Sequence, residues 1–407
     1  MTRTLIVSHF FSPESLGGAH RWKKLAEQLP DDHDCRVICP PPSFPYGEFD
    51  RTWKPLERDR LDGVPVTRLW TYQPKSDSTS EESNLGRILN YVLFSLFASL
   101  YVLCNFWRYD TIVTVSAPHT TFLPGIVGKT LGLAWMPDIF DLWLDNALDL
   151  GYVEKDTVPY RFIAELERRA IQNSNHVLVI TQTMAAHFAE KYDVSMDRFT
   201  LVPFGVDEEL FAPQPGSADT DTVVYTGNMG EAHALRPFIL AFKHLEDVAE
   251  LRLVGTGKRR EELEALCREE GLTGRVRFEG VVPREEIPKI LAEATSSFVP
   301  LKQGQNLDYA RPTKLLESMA VGTPYIASSL REIERITEES GAGFAVDNDS
   351  EEVANAVRKL VDDDDLQREM GERGVEFINR EHRWPELATR VDKAIKNADT
   401  FEVEPTD

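Results

Sequence analysis

The chain has 407 residues, more than one hydrophobic core ordinarily serves, and its 42% hydrophobic content is enough to fill two. Lys and Arg total 45 against 67 Asp and Glu, and the net charge of −22 repels nucleic acid at long range, so nucleic acid is not an expected partner. Of the four cysteines only Cys35 and Cys39 are close, which argues against a disulfide framework and offers no metal-ligand spacing. The N-terminal stretch MTRTLIVSHFF lacks a signal-peptide pattern and reads as a strand that starts at once, which predicts an intracellular protein. Strand-like runs then alternate with helical stretches: TLIVSHF, CRVICP, VPVTRLW, TIVTVS, WMPDIF, HVLVIT and FTLVPF in the first half, TVVYTG, LRLVG, RVRFEG, SSFVP, PYIAS and GFAV in the second. Seven runs followed by six predict an α/β protein with two doubly wound parallel sheets. Between the halves, APQPGSADTD has linker composition. Acid is spread along the whole chain and Arg outnumbers Lys, a pattern that suits a cytoplasm of very high salt, where self-repulsion is screened.

One segment interrupts the alternation. ILNYVLFSLFASLYVLCNFW, Ile88 to Trp107, carries no charged residue and is long enough to span a bilayer. Spanning would cut the first sheet in two. The expectation is therefore a helix packed on the core with one exposed apolar face, or a helix lying in the membrane interface. Tyr91, Phe94, Phe97, Tyr101, Phe106 and Trp107 favour an interfacial contact, and Arg87 and Arg108 flank the run where lipid headgroups would lie.

Glycine-rich loops follow several of the expected strands. SPESLGGAHRWKKLAEQL places Gly17 and Gly18 between a strand and an amphipathic helix, where backbone can approach a ligand closely; a tight turn with no ligand accounts for it equally well. VVYTGNMGEAHAL places Gly227, Asn228 and Gly230 after a strand, and LVGTGKRREELEAL does the same with Lys258 and Arg259. Such loops leave the strand ends at which open α/β sheets bind ligands. None matches the dinucleotide fingerprint or the phosphate loop ending in Gly-Lys-Ser/Thr.

The stretch ARPTKLLESMAVGTPYIAS raises a sharper question. Pro312 suits a first helical position and Gly322 a stop, yet Arg311 and Lys314 crowd a helix start, beside Thr313, that is already positive from its free N–H groups. Asp308, Glu317 or a bound phosphate could neutralise them. A Lys314–Glu317 pair alone would contribute only ~0.3 kcal/mol. A diphosphate answers better, taking the N–H groups and a charge-assisted bond from Lys314 and leaving Glu317 to accept hydrogen bonds from hydroxyls such as those of a ribose.

Taken in order, SPESLGGAHRWKKLAEQL, FDLWLDNALDLG, VPFGVD, YTGNMG, VGTGKRREEL, RPTKLLESMAVGTPYIAS and the C-terminal GAGFAVDNDSEEVANAVRKLVDDDDLQREMGERG resemble the family-4 retaining glycosyltransferases. FDLWLDNA and RPTKLLESMAVGTP are more similar to the branch that builds surface polysaccharides on lipid carriers. The resemblance implies a GT-B fold, two Rossmann-like domains facing across a cleft: an acceptor-binding domain over 1–205, a linker over 206–221, a nucleotide-sugar-binding domain over 222–380, and a C-terminal helix crossing back, then a tail, over 381–407. It implies metal-independent transfer, with no cofactor, of a hexosyl group from a nucleotide-sugar donor to a lipid-linked glycan in polysaccharide synthesis or protein glycosylation. The enzyme would be cytoplasmic, held peripherally on the inner face of the cell membrane through 88–107. Glu317 is implied to hold the donor's ribose, Lys314 to meet the diphosphate with Lys258 completing the grip, and Gly17 and Gly18 to approach the donor phosphates. Where many members carry a His after the strand WMPDIF, this chain has Phe140 and Asp141, so Asp141 is the candidate to orient the acceptor or take its proton, with His119 a second candidate. Where a further glutamate often faces the sugar, this chain has Tyr309. A nucleotide-sugar epimerase or a phosphorylase of the same fold, and a non-catalytic degenerate transferase, are the competing readings.

Overall fold

The computed structural model describes residues 2–14, 18–74, 81–149, 151, 153–213, 221–245, 250–303 and 307–398. The chain divides into two compact units, Met1–Pro203 with Trp384–Asp407, and Phe204–Arg383.

The first unit is built on strands β1 (Thr2–Val7), β2 (His33–Cys39), β3 (Leu56–Leu61), β4 (Val64–Leu69), β5 (Thr111–Val115), β6 (Ala134–Ile139), β7 (Val177–Val179) and β8 (Phe199–Leu201). They form one sheet in the order β3-β4-β2-β1-β5-β6-β7-β8. All neighbours are parallel except β3 and β4, which form an antiparallel hairpin. The expected strands are present; β3 is an addition. Its sequence LERDRL is mostly charged and so resembles a loop, yet Asp62 and Gly63 turn the chain with φ of 45° and 87°, the left-handed pair that a two-residue hairpin needs. The charges suit an edge strand. Ile6, Val37, Val113, Met136 and Leu178 of the sheet pack with Trp22 and Leu25 of helix Arg21–Gln28 and with Leu387, Val391 and Ile395 of helix Trp384–Ala398.

The apolar segment forms helix Glu81–Leu103, followed by a separate turn at Phe106–Arg108. Asn90, Phe94, Ala98 and Val102 recur every four residues and are buried, and helix Phe122–Thr130 packs against this element. Phe94 is thus a core residue and not an interfacial aromatic. The opposite face is bare: Leu85, Ile88, Leu96, Leu100 and Leu103 are between 51% and 59% exposed. Leu85–Leu103 remains long and apolar enough to cross a membrane by length and composition.

The second unit contains β9 (Thr222–Thr226), β10 (Glu250–Val254), β11 (Val276–Gly280), β12 (Ser296–Val299), β13 (Tyr325–Ser328) and β14 (Gly343–Val346). The sheet runs β11-β10-β9-β12-β13-β14 with every pair parallel. Apolar clusters cover both faces, one around Phe238, Phe242 and Phe298, the other around Leu315, Met319 and Ile333. The expected linker over 206–221 is placed differently. The division falls after Pro203, and Val206 and Phe211 are buried in the second unit's core, so the described residues 206–213 are part of that unit. The sequence pattern hid this because Phe204, Val206, Leu210 and Phe211 follow neither strand nor helix spacing.

Candidate functional site

In the second unit, neighbouring strands β9 and β10 are followed directly by Gly227 and Gly255, and helix Thr313–Val321 contributes Lys314 beside Gly227. The two loops are knitted together. Gly227 N–H donates to the Val254 carbonyl at 2.8 Å, Met229 N–H to the Thr256 carbonyl at 2.8 Å and Arg259 N–H to the Met229 carbonyl at 3.1 Å. Gly255 has φ of 137°, and a Cβ there would stand 2.0 Å from the Gly227 carbonyl oxygen, so only glycine lets the loops lie this close. At Gly227, with φ of 132°, a Cβ would come within 3.1 Å of Lys314 Nζ.

Lys314 is the centre of this arrangement. Its Nζ donates to the Tyr225 hydroxyl at 3.1 Å, lies 3.3 Å from His233 Nε2 and stands 4.4 Å from the Tyr225 ring centre. Among the described residues no carboxylate forms an ion pair with it. Burial lowers its pKa to about 8 even though the Glu317 charge opposes the shift. His233 falls to about 4, through burial first and the Lys314 charge second. An ammonium whose partners are a neutral hydroxyl and a neutral imidazole is under-compensated, and a bound anion would complete it. The helix start adds the positive end of the backbone dipole with no side-chain cap. Pro312 serves as the residue before the helix and the exposed Thr313 as its first member, one place later than the sequence suggests. Gly322 ends the helix in the left-handed conformation, as expected.

Other donor-side candidates fare unequally. Asn228 and Lys258 are exposed at the loops, and Gly230 is half-buried beside the Asn228 side chain. Arg259 is anchored, donating to both Glu262 oxygens at 2.8 and 3.0 Å and to the His233 carbonyl at 3.1 Å, so it braces the loop. Arg311 departs from the expectation altogether. It is buried, ion-paired with Glu332, and 3.3 Å from His382 Nε2. Its charge is neutralised inside the core because Glu332 lies on the next helix, Arg331–Ser340, a pairing that spacing along the chain does not show. Glu317 is not free either: its Oε1 accepts from Arg284 Nη2 at 2.8 Å. That Arg is 63% exposed, so the pair is weak and open to displacement. Tyr309, eight positions before Glu317, where the resemblance sets the expectation of a further glutamate, is buried at 7% exposure.

In the first unit, Gly17 lies outside the described residues. A Cβ at Gly18 would stand 2.4 Å from Phe140 Cζ, which places that loop against the residue beside Asp141. The half-buried Asp141 accepts from Asn146 Nδ2 at 2.7 Å. The structure therefore brings Gly18 and the Phe140–Asp141 turn together beyond the ends of β1 and β6. His119 is not with them. It is fully buried, stacked on Phe122 at 5.0 Å and near Trp143 at 5.5 Å, with Nδ1 3.6 Å from Glu167 Oε2. Burial lowers its pKa. Its place is in the core, so it is withdrawn as an acceptor-facing candidate. Sequence reasoning missed His233 and Tyr225, and it also missed Arg21, whose guanidinium is wholly buried against Asp138 and the Val202 and Pro203 carbonyls. The signal for His233 was its place in GNMGEAH, directly after a glycine loop. Asp32, His33 and Asp392 bring ligand-type atoms within 4.8 Å of one another, but Lys396 pairs with both carboxylates and the group sits at the N-terminal edge of β2, away from the loops described above.

Comparison with known proteins adds an independent line. The family described as "Glycosyl transferase 4-like domain" matches residues 17–205, and "Glycosyl transferases group 1" matches 220–363. The chain is 26% identical over 248 residues to a GDP-mannose-dependent alpha-(1-6)-phosphatidylinositol monomannoside mannosyltransferase of Mycobacterium tuberculosis, spanning 57% of this chain and 64% of that protein. Among solved structures it resembles sucrose-phosphate synthase of Thermosynechococcus elongatus, with a TM-score of 0.72 at 18% identity over 99% of this chain and 100% of that one. It also resembles Anabaena HepE in complex with UDP, with a TM-score of 0.70 at 14% identity over 98% of this chain and 100% of that one. These last two likenesses concern the fold alone.

Proposed function

Because the chain belongs to the family-4 glycosyltransferases, with two Rossmann-like parallel-sheet units of GT-B type, we propose that it transfers a sugar, with retention, from a nucleoside-diphosphate sugar to a lipid-linked or surface-glycan acceptor. The observation that carries this is the under-compensated Lys314 ammonium at the paired glycine loops. As the bond from C1 of the sugar to the diphosphate breaks, negative charge grows on the leaving oxygen. Lys314 and the N–H groups of its helix start stabilise that charge. Glu317 accepts ribose hydroxyls once Arg284 is displaced, and Lys258 adds a flexible cation at the rim. Asp141, in the turn packed against Gly18, orients or deprotonates the acceptor hydroxyl.

The exposed face of helix Glu81–Leu103 supports an acceptor held in lipid. The enzyme would work peripherally at the cytoplasmic face of the membrane, laying this apolar stripe into the interface. Arg108, exposed next to the stripe, would meet headgroups. The mycobacterial relative is named for a phosphatidylinositol mannoside acceptor, which favours a glycolipid here too.

The test is a panel of nucleotide sugars incubated with lipid extracts, with product mass as the readout. Donor titrations of two variants locate the site. Lys314→Ala is expected to weaken donor binding by roughly tenfold to a hundredfold, the size of a lost charge-assisted hydrogen bond. Lys302→Ala, whose side chain lies 3.5 Å from Glu231, should change it little. Equal losses in both would remove the site assignment.

A further inference from the structure

The Lys314–His233 contact contains a constraint that the donor reading does not use. A lysine ammonium has only donors, so at 3.3 Å His233 Nε2 must be the acceptor, and the ring must be neutral with its proton on Nδ1. That Nδ1 is itself buried, with the Gly230 backbone as the group that favours its proton. The imidazole is thus held as a neutral base against a cation, beside the glycine loops.

We propose that His233 is a second, switchable cation of the diphosphate site: it is neutral while the site is empty and takes up one proton when a nucleoside diphosphate group settles beside Lys314. The proposal rests on the donor reading above. In the step, the dianionic diphosphate enters and the Lys314 ammonium turns from Nε2 toward a phosphate oxygen. A solvent proton then adds to the vacated Nε2 lone pair, and the new N–H donates to the same anion. No bond of the donor breaks, and the site gains one positive charge.

The surrounding charges allow this. Tyr225 on β9 presents its ring 6.0 Å away and donates its hydroxyl to the Asn228 carbonyl. Arg259, ahead of helix Arg260–Glu269, is spent on Glu262 and on the His233 carbonyl. Glu231, in the same loop as His233, faces Lys302. None of these carboxylates is in hydrogen-bond contact with the ring, so an arriving anion is the change that favours its charged form. Burial and the Lys314 charge hold the free ring's pKa at about 4, and an anion beside the ring would oppose that shift.

Calorimetric titration tests the idea. The probe is whichever of UDP-glucose, GDP-mannose and ADP-glucose binds most tightly, since their diphosphate diesters do not themselves titrate near neutral pH. At about pH 6.5, Lys314 is already charged, so proton uptake measured from binding enthalpies in buffers of different ionisation enthalpy belongs to the histidine. Uptake of about one proton per site is expected for the unaltered protein and about none for His233→Gln, with affinity lower by roughly tenfold in the variant. His233→Asn serves as a second variant should the first melt early. Binding without uptake in the unaltered protein, or uptake that persists in both variants, overturns the proposal while leaving the donor site standing. Unchanged affinity in Lys314→Ala overturns the donor site and this proposal together.

Discussion

Removing the Arg311 guanidinium would leave Glu332 charged inside the second unit. Glu332 has no exposed side-chain surface and is held by Arg311 and by Arg335 Nη2 at 2.7 Å. Arg311→Ala is therefore expected to cost about 3 kcal/mol, toward the low end for a broken buried pair because Arg335 remains, as read from urea unfolding. The pair also predicts an acid limit. Burial raises the Glu332 pKa, but the hydrogen bond from Arg335 and the Arg311 charge outweigh it and leave it below its ordinary value. The unfolded chain then takes the proton first as pH falls. The stabilisation is full above the ordinary glutamate range, near ~4.3, and is lost as pH drops through the depressed folded value. A midpoint of unfolding that stayed flat from about pH 5 to pH 3 would contradict this. Arg311 and Lys314 are alike in sequence, two cations flanking Pro312 and Thr313. Only the position of Glu332, one helix later, assigns one to the core and the other to the loops.

At the scale of the element, the helix Glu81–Leu103 was legible as apolar and its two faces were not. Its residues are hydrophobic nearly all round, so period alone does not say which stripe meets the sheet. The packing of helix Phe122–Thr130 decides it, burying Phe94, Ala98 and Val102 and leaving Leu96 and Leu100 outside. Leu96→Asp with Leu100→Asp is expected to release the protein from liposomes in a sedimentation assay without lowering its melting temperature. Phe94→Ala should instead destabilise the first unit by about 3–5 kcal/mol, the cost of an emptied aromatic site. Undiminished sedimentation of the double variant would remove the interfacial role. The glycine loops behave oppositely: their location was readable from strand endings, because only glycine tolerates the φ of Gly227 and Gly255.

For the whole molecule, the net charge of −22 is the governing quantity. If the acid excess is fitted to high salt, the melting temperature should rise as NaCl goes from about 0.1 M to about 2 M, where the screening length falls from roughly 10 Å to under 3 Å. A melting temperature that falls over that range would sink the high-salt reading. Sequence alone determined the two parallel α/β units, the family and the loops that end their strands, since hydrophobic period, glycine placement and helix stops are local properties of the chain. Tertiary structure alone decided that Val206 and Phe211 join the second core, that His119 is interior, that Arg311 is spent on Glu332, and that His233 faces Lys314. Each of those depends on residues far apart in sequence meeting in space, and charge or burial is assigned only when that meeting occurs.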